Sequence, residues 1–125
     1  MQLIYADYLG GGGNSDTLIQ LIDYNNDDGD LDRVQPLVQE VLFHKGELEE
    51  IISSYSQQRA LHRIPFISRS ILLLALFELL YQPDTPQAVV ISEAVELAKR
   101  FARQTDARFI NGLLGAFEKD RDADA

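Results

Sequence analysis

The chain has 125 residues, 46% of them hydrophobic, no cysteine and a net charge of −9. That length suffices for one compact domain or two small helical subdomains, and the lack of cysteine excludes disulfides and thiolate metal sites. Such acidity argues against nonspecific nucleic-acid binding, but the charge is uneven. Residues 1–58 hold eleven acids and two bases, whereas residues 59–125 hold nine of each. Between Arg59 and Arg108 the bases lead seven to five, so a local basic face is possible there. His44 and His62 have no partner at metal-ligand spacing, and neither a metal nor another cofactor is expected. No basic-then-apolar start marks a signal peptide, and the chain reads as cytoplasmic.

Taken in order, Gln2 to Leu9 predicts a short helical piece, and Gly10 to Gly13 a linker. Asn14-Ser15 follows the glycines where a phosphate-binding loop needs Lys-Ser/Thr. Ser15 or Asp16 can cap a short helix through Ile22. Asn25 to Asp30 lacks the spacing of a calcium loop and predicts a solvated turn. From about Leu31, the spacing of Leu31, Val34, Leu37, Val38, Val41 and Leu42 predicts an amphipathic helix with Pro36 near its first turns. His44-Lys45-Gly46 bends the path. Glu47 to Tyr55 is a second helix, with Leu48, Ile51, Ile52 and Tyr55 on one face, and Gln57 to Pro65 is a connector.

Phe66 to Tyr81 is the centre of the chain. Eleven of its sixteen residues are apolar before Tyr81 is counted. A helix apolar on nearly every side must be buried on nearly every side, and this one is too short to cross a bilayer, which takes about 20 apolar residues. After a turn at Pro83 to Pro86, Thr85 can cap a helix that begins at Pro86 and runs to about Arg103. Its expected inward residues are Val89, Val90, Ala94, Val95, Leu97, Ala98 and Phe101. Asp106 can cap a last helix to about Lys119, with Phe109, Ile110, Leu113, Leu114 and Phe117 inward and the DRDADA tail frayed. The sum is an all-α protein of six or seven helices. It divides into an N-terminal helical subdomain, 1–58, and a C-terminal one, 59–125, built around helix 66–81.

The stretch from Arg69 to Phe117 resembles the C-terminal half of the NusB family of bacterial transcription antitermination factors. The matching residues are Ile71-Leu72, Ala75-Leu76-Phe77-Glu78-Leu79, Pro86, Val89-Val90-Ile91, Glu93 to Lys99, Phe101 and the block Phe109-Ile110-Asn111-Gly112-Leu113-Leu114. Leu3-Ile4-Tyr5, Leu9, Val38, Val41-Leu42, Leu48 and Ile51-Ile52 extend the match more loosely. The resemblance implies two small helical bundles packed into one compact domain. It implies binding of boxA-type RNA in ribosomal RNA leader transcripts. It also implies a protein partner, the NusE ribosomal protein, assembly on RNA polymerase and no catalysis. Either a monomer or a homodimer is compatible with it. The sequence departs from the family in lacking an Arg-rich run ahead of the first helix. Leu73 stands in place of an Arg, and Ser92 in place of an Asn.

The resemblance places Tyr5, Phe101 and Phe109 near RNA, where aromatic faces stack unpaired bases. Lys99, Arg100, Arg103 and Arg108 form the best local basic cluster for phosphates. Each has a plain alternative: the aromatics as core, the bases as a solvated helix end. Glu78 and Glu93 lie in apolar surroundings without nucleophile or metal ligand. They are expected to accept hydrogen bonds at helix ends or from Arg69. Asn111-Gly112 in mid-helix predicts close helix packing, with Asn111 bonding a neighbouring backbone. A second reading keeps the fold as a protein-interaction module that has lost RNA binding, which suits the acidic first half. A third likens the chain to the N-terminal domain of rRNA cytosine methyltransferases, without their catalytic domain.

Overall fold

The structure, a computed structural model, describes residues 31–56 and 59–124. The predicted helices before Leu31, the glycine run and Tyr5 lie outside the described residues. Five α-helices and one short 3-10 turn follow, with no strand among the described residues. They are α1 (Leu31–Phe43), α2 (Lys45–Tyr55), α3 (Phe66–Tyr81), α4 (Gln87–Phe101) and α5 (Gln104–Asp124), with the 3-10 turn at Leu61–Arg63 between α2 and α3.

Helix α3 is the hub and packs against each of the other four. Ten of its sixteen residues are buried, from Ser68 to Leu79, which is what an all-round apolar sequence requires. Phe77, Ile71, Leu72 and Leu76 are the largest side chains at its centre. Pro65, with an extended ψ of 146°, sits just ahead of the helix, and Pro83 follows its end, so proline brackets it on both sides.

The flanking helices each offer one face. Val38 and Val41 of α1 and Leu48 and Ile52 of α2 are buried. His44 links the two helices with a continuing backbone path: its N–H donates to the Glu40 carbonyl at 3.2 Å and its carbonyl accepts from Leu48 at 2.9 Å. Helix α2 therefore starts at Lys45, two residues ahead of the sequence expectation.

In α4 the buried set is Val90, Ala94, Leu97 and Ala98, a narrower stripe than predicted. Val89 is exposed, and Val95 and Phe101 are only partly covered. Thr85 makes no cap. Pro86 is the residue before the helix, with ψ 142°, and its carbonyl accepts from both Val89 and Val90.

The end of α5 corrects the expected frayed tail. The helix continues to Asp124 because its last turns have partners. Tyr55 donates to Asp120 Oδ2 at 2.6 Å. Arg121 donates to the Leu79 carbonyl at 3.0 Å, near the C-terminal end of α3, where a cation suits the helix dipole. It also pairs with Glu118 at 2.9 Å.

Candidate nucleic-acid interface

The basic residues that matter are organised by one buried carboxylate. Asp106, whose side chain is 2% exposed, lies in the first turn of α5. Its Oδ1 accepts from Arg59 Nη1 at 3.1 Å. Its Oδ2 accepts from Arg103 Nε at 3.2 Å and from the Arg103 backbone N–H at 3.4 Å. The last contact is half of a capping box: a side chain three residues into the helix reaches back to the residue before it. Asp106 thus caps the helix from inside its first turn, not from ahead of it. Burial pushes its carboxyl pKa up, but the hydrogen bonds from Arg59 and Arg103 outweigh that and hold it below the usual range.

Arg59 reaches this site from the connector after α2. A reciprocal pair of bonds with Ser56 fixes its backbone: Arg59 N–H donates to the Ser56 carbonyl, and the Ser56 hydroxyl donates to the Arg59 carbonyl. Its guanidinium then lies 4.7 Å from the centre of the Phe109 ring, within cation–π range. Beside it opens a groove of about 630 Å³ lined by Tyr55, Arg59, Thr105, Arg108, Phe109 and Gly112, among others. The half-buried Phe109 ring, the anchored Arg59 guanidinium and an exposed Arg108 therefore share one wall, while Arg103 is held to Asp106 outside the groove lining.

Of the predicted site residues, Arg108 and Phe109 line the groove; Arg103 binds Asp106 but, like Lys99, Arg100 and Phe101, does not line it. Lys99 is exposed and pairs with Glu96 at 3.7 Å, Arg100 is exposed, and Phe101 packs partly against the core. Phe109 is less inward than its apolar spacing implies, since Ile110 takes the fully buried position.

Two structural expectations are corrected. Gly112 is exposed, and a Cβ added there would meet nothing within 4 Å, so it mediates no close helix contact. It lies on the groove wall instead. Asn111 is also exposed, and its side chain makes no hydrogen bond among the described residues. Glu78 and Glu93 are not paired with Arg69. Residues 69 and 78 are nine apart, about 900° and so on opposite sides of α3. Arg69 lies over Phe66, at 5.6 Å. Glu78 lines a small cavity between α3 and α4, and burial, then the nearby charge of Glu93, raises its pKa to about 7. Glu93 itself is exposed.

Arg59, Tyr55 and Thr105 escape a sequence reading as site residues. The charge count over residues 59–108 signals Arg59 as a base but not its place, because its partner is forty-seven residues away. Among the described residues no cluster of three or more His, Cys, Asp or Glu could hold a metal, and no helix is long and apolar enough to cross a membrane.

Residues 13–119 match the model of the NusB family. The chain is 45% identical over 86 residues to the transcription antitermination protein NusB of Elusimicrobium minutum, covering 68% of this chain and 61% of that relative. It is 35% identical over 111 residues to the protein of the same name from Methylacidiphilum infernorum, covering 88% and 78%. The corresponding Dehalococcoides mccartyi protein is 35% identical over 120 residues, covering 95% and 84%. Among solved structures, T. maritima NusB superposes with a TM-score of 0.67 at 26% identity over 85% of each chain. A chain in the crystal structure of a plectonemic RNA supercoil superposes with a TM-score of 0.72, over 90% of this chain and 96% of that one. Its 21% identity speaks for the fold alone.

Proposed function

The chain belongs to the NusB family, and from that premise we propose that it is an RNA-binding transcription antitermination factor. In this role it is a noncatalytic adaptor in the cytoplasm. It holds boxA-type RNA of ribosomal leader transcripts along one edge and presents another helical face to the NusE ribosomal protein, on RNA polymerase. The observation that carries the RNA half is the groove wall of Arg59, Arg108 and Phe109, with Arg59 braced by Asp106, which also holds the neighbouring Arg103. Anchored guanidinium groups suit phosphates, and the partly covered Phe109 ring offers an edge or face to an unpaired base. The groove beside them leaves room for a splayed nucleotide, the form in which single-stranded RNA is read. Tyr5, Lys99, Arg100 and Phe101 belong to this reading as flanking contacts.

A second reading, a protein-interaction module without RNA, is favoured by the eleven acids against two bases in residues 1–58. One titration separates the two. The protein is titrated with boxA RNA and with a scrambled RNA, with and without NusE, at low and high salt. Preferential, salt-sensitive binding supports the RNA reading. Reversing Arg103 and Arg108 together to Glu should weaken boxA binding about tenfold or more, with a reduced salt slope. Unchanged affinity in a folded double variant rejects this surface. Binding to NusE without any boxA preference leaves the adaptor alone.

A further inference from the structure

At the corner between α1 and α2, against the C-terminal end of α3, four aromatic rings meet. His44 stacks on Tyr81, with centroids 4.3 Å apart and planes at 24°. Phe77 lies beneath both, 6.0 Å from His44 and 5.3 Å from Tyr81. Phe43 meets His44 edge to face at 5.1 Å, yet Phe43 is 84% exposed, the most exposed large hydrophobic side chain among the described residues. A cleft of about 560 Å³ opens here, lined by Gln39, Glu40, Phe43, His44, Phe77 and Tyr81. It shares no lining residue with the groove beside Phe109.

The cleft is preorganised. Glu47 holds its far side: the Tyr81 hydroxyl donates to Glu47 Oε1 at 2.6 Å, and His44 Nδ1 lies 3.5 Å from Glu47 Oε2. Glu40, in contrast, is exposed and has no ion pair or side-chain hydrogen bond among the described residues. Lys45 is the one base in α2, against Glu47, Glu49 and Glu50. An exposed ring beside a fixed ring stack, with a rim carboxylate that has no partner among the described residues, is the complement of a planar cation.

We propose that this cleft docks an arginine side chain carried on a basic segment of a partner protein. The guanidinium stacks on the exposed faces of Phe43 and Tyr81 and pairs with Glu40. Arginine fits better than lysine because its charge is planar, weakly hydrated and able to present two N–H groups to one carboxylate. The stacked His44–Tyr81 floor loses little freedom on binding, which favours a small contact. This inference is independent of the RNA reading, since no residue of the groove takes part.

The test is amide chemical-shift mapping by NMR of the full chain with N-acetyl-arginine amide. Its lysine and citrulline counterparts serve as controls. Saturable shifts confined to residues 39–48 and 77–81, strongest for arginine and weakest for uncharged citrulline, are expected. Glu40→Gln and Phe43→Ala alter exposed positions, so the fold should survive. Each should weaken arginine binding about fivefold, the scale of one exposed ion pair or cation–π contact. Equal responses to arginine and citrulline, or shifts elsewhere only, overturn the proposal. So does self-association lost in Phe43→Ala, which would assign the cleft to a second copy. Shifts in the cleft on adding boxA RNA would assign it to a nucleobase and overturn it equally.

Discussion

Replacing Asp106 by asparagine should destabilise the protein by about 2 kcal/mol at neutral pH, and the structure says where that comes from. Asparagine keeps the shape and one oxygen acceptor but removes the charge and sets an NH₂ group against a guanidinium. The bond from Arg59, at 3.1 Å to a buried carboxylate, is charge-assisted and worth about 1.5–3 kcal/mol. Arg103 is 74% exposed, so its side-chain pair is screened and adds no more than about 0.5 kcal/mol. The reach to the Arg103 backbone N–H caps α5 and adds about 0.5–1 kcal/mol, part of which asparagine retains. Because the folded-state pKa of Asp106 is depressed, its stabilisation is present above the unfolded value of about 4. It is lost as pH falls through the lower, folded value. Urea unfolding followed by circular dichroism at pH 7 and at pH 3 measures both arms. The gap between parent and Asp106→Asn should be full at pH 7 and shrink in acid. A gap under about 0.5 kcal/mol at pH 7, or one that widens in acid, would refute the assignment of Asp106 as the brace of this wall.

Glu78 should behave in the opposite sense. Its pKa is raised to about 7, so its unfavourable contribution grows as pH rises from its ordinary value of 4.5 through 7. Glu78→Gln is therefore expected to raise stability by about 1–3 kcal/mol at pH 8 and to change little at pH 4, read from urea midpoints. A loss of stability at pH 8 would mean that the carboxylate has a partner it needs. Gly112→Ala should stabilise α5 by about 0.5–1 kcal/mol, because a mid-helix glycine loses more freedom than alanine and the new methyl meets nothing within 4 Å. The same methyl narrows the groove, so boxA RNA affinity should drop severalfold while the melting temperature rises. A lower melting temperature would indicate a tight approach at Gly112 after all.

The all-α class and the central place of α3 were legible in the sequence. Apolar residues on nearly every side of sixteen leave a helix no option but burial, and the buried set from Ser68 to Leu79 follows. The inward stripe of α4 was legible in phase but not in width. Its spacing pointed to Val89, Val90, Ala94, Val95, Leu97, Ala98 and Phe101, of which Val90, Ala94, Leu97 and Ala98 are buried, whereas Val89, Val95 and Phe101 sit at the stripe's edges, where the neighbouring helices set exposure. Membership of the NusB family was carried by blocks such as Phe109 to Leu114, whose Phe109, Gly112 and Leu113 also line the groove.

The pairing of those blocks with the rest of the chain was not legible. Nothing local says that Arg59 will reach Asp106, or that Arg121 will donate to Leu79, forty-two residues away. Asn111-Gly112 looked like a packing device because propensity penalises glycine in mid-helix, yet it faces open space. Helical periodicity and residue type determined the elements and the faces they bury, since burial by a 3.6-residue repeat is written into neighbouring positions. The braced cationic wall, the groove beside it and the aromatic cleft at the α1–α2 corner were decided only in the folded chain. Each joins residues from separate elements, and their distances depend on how the connectors bring helices around α3.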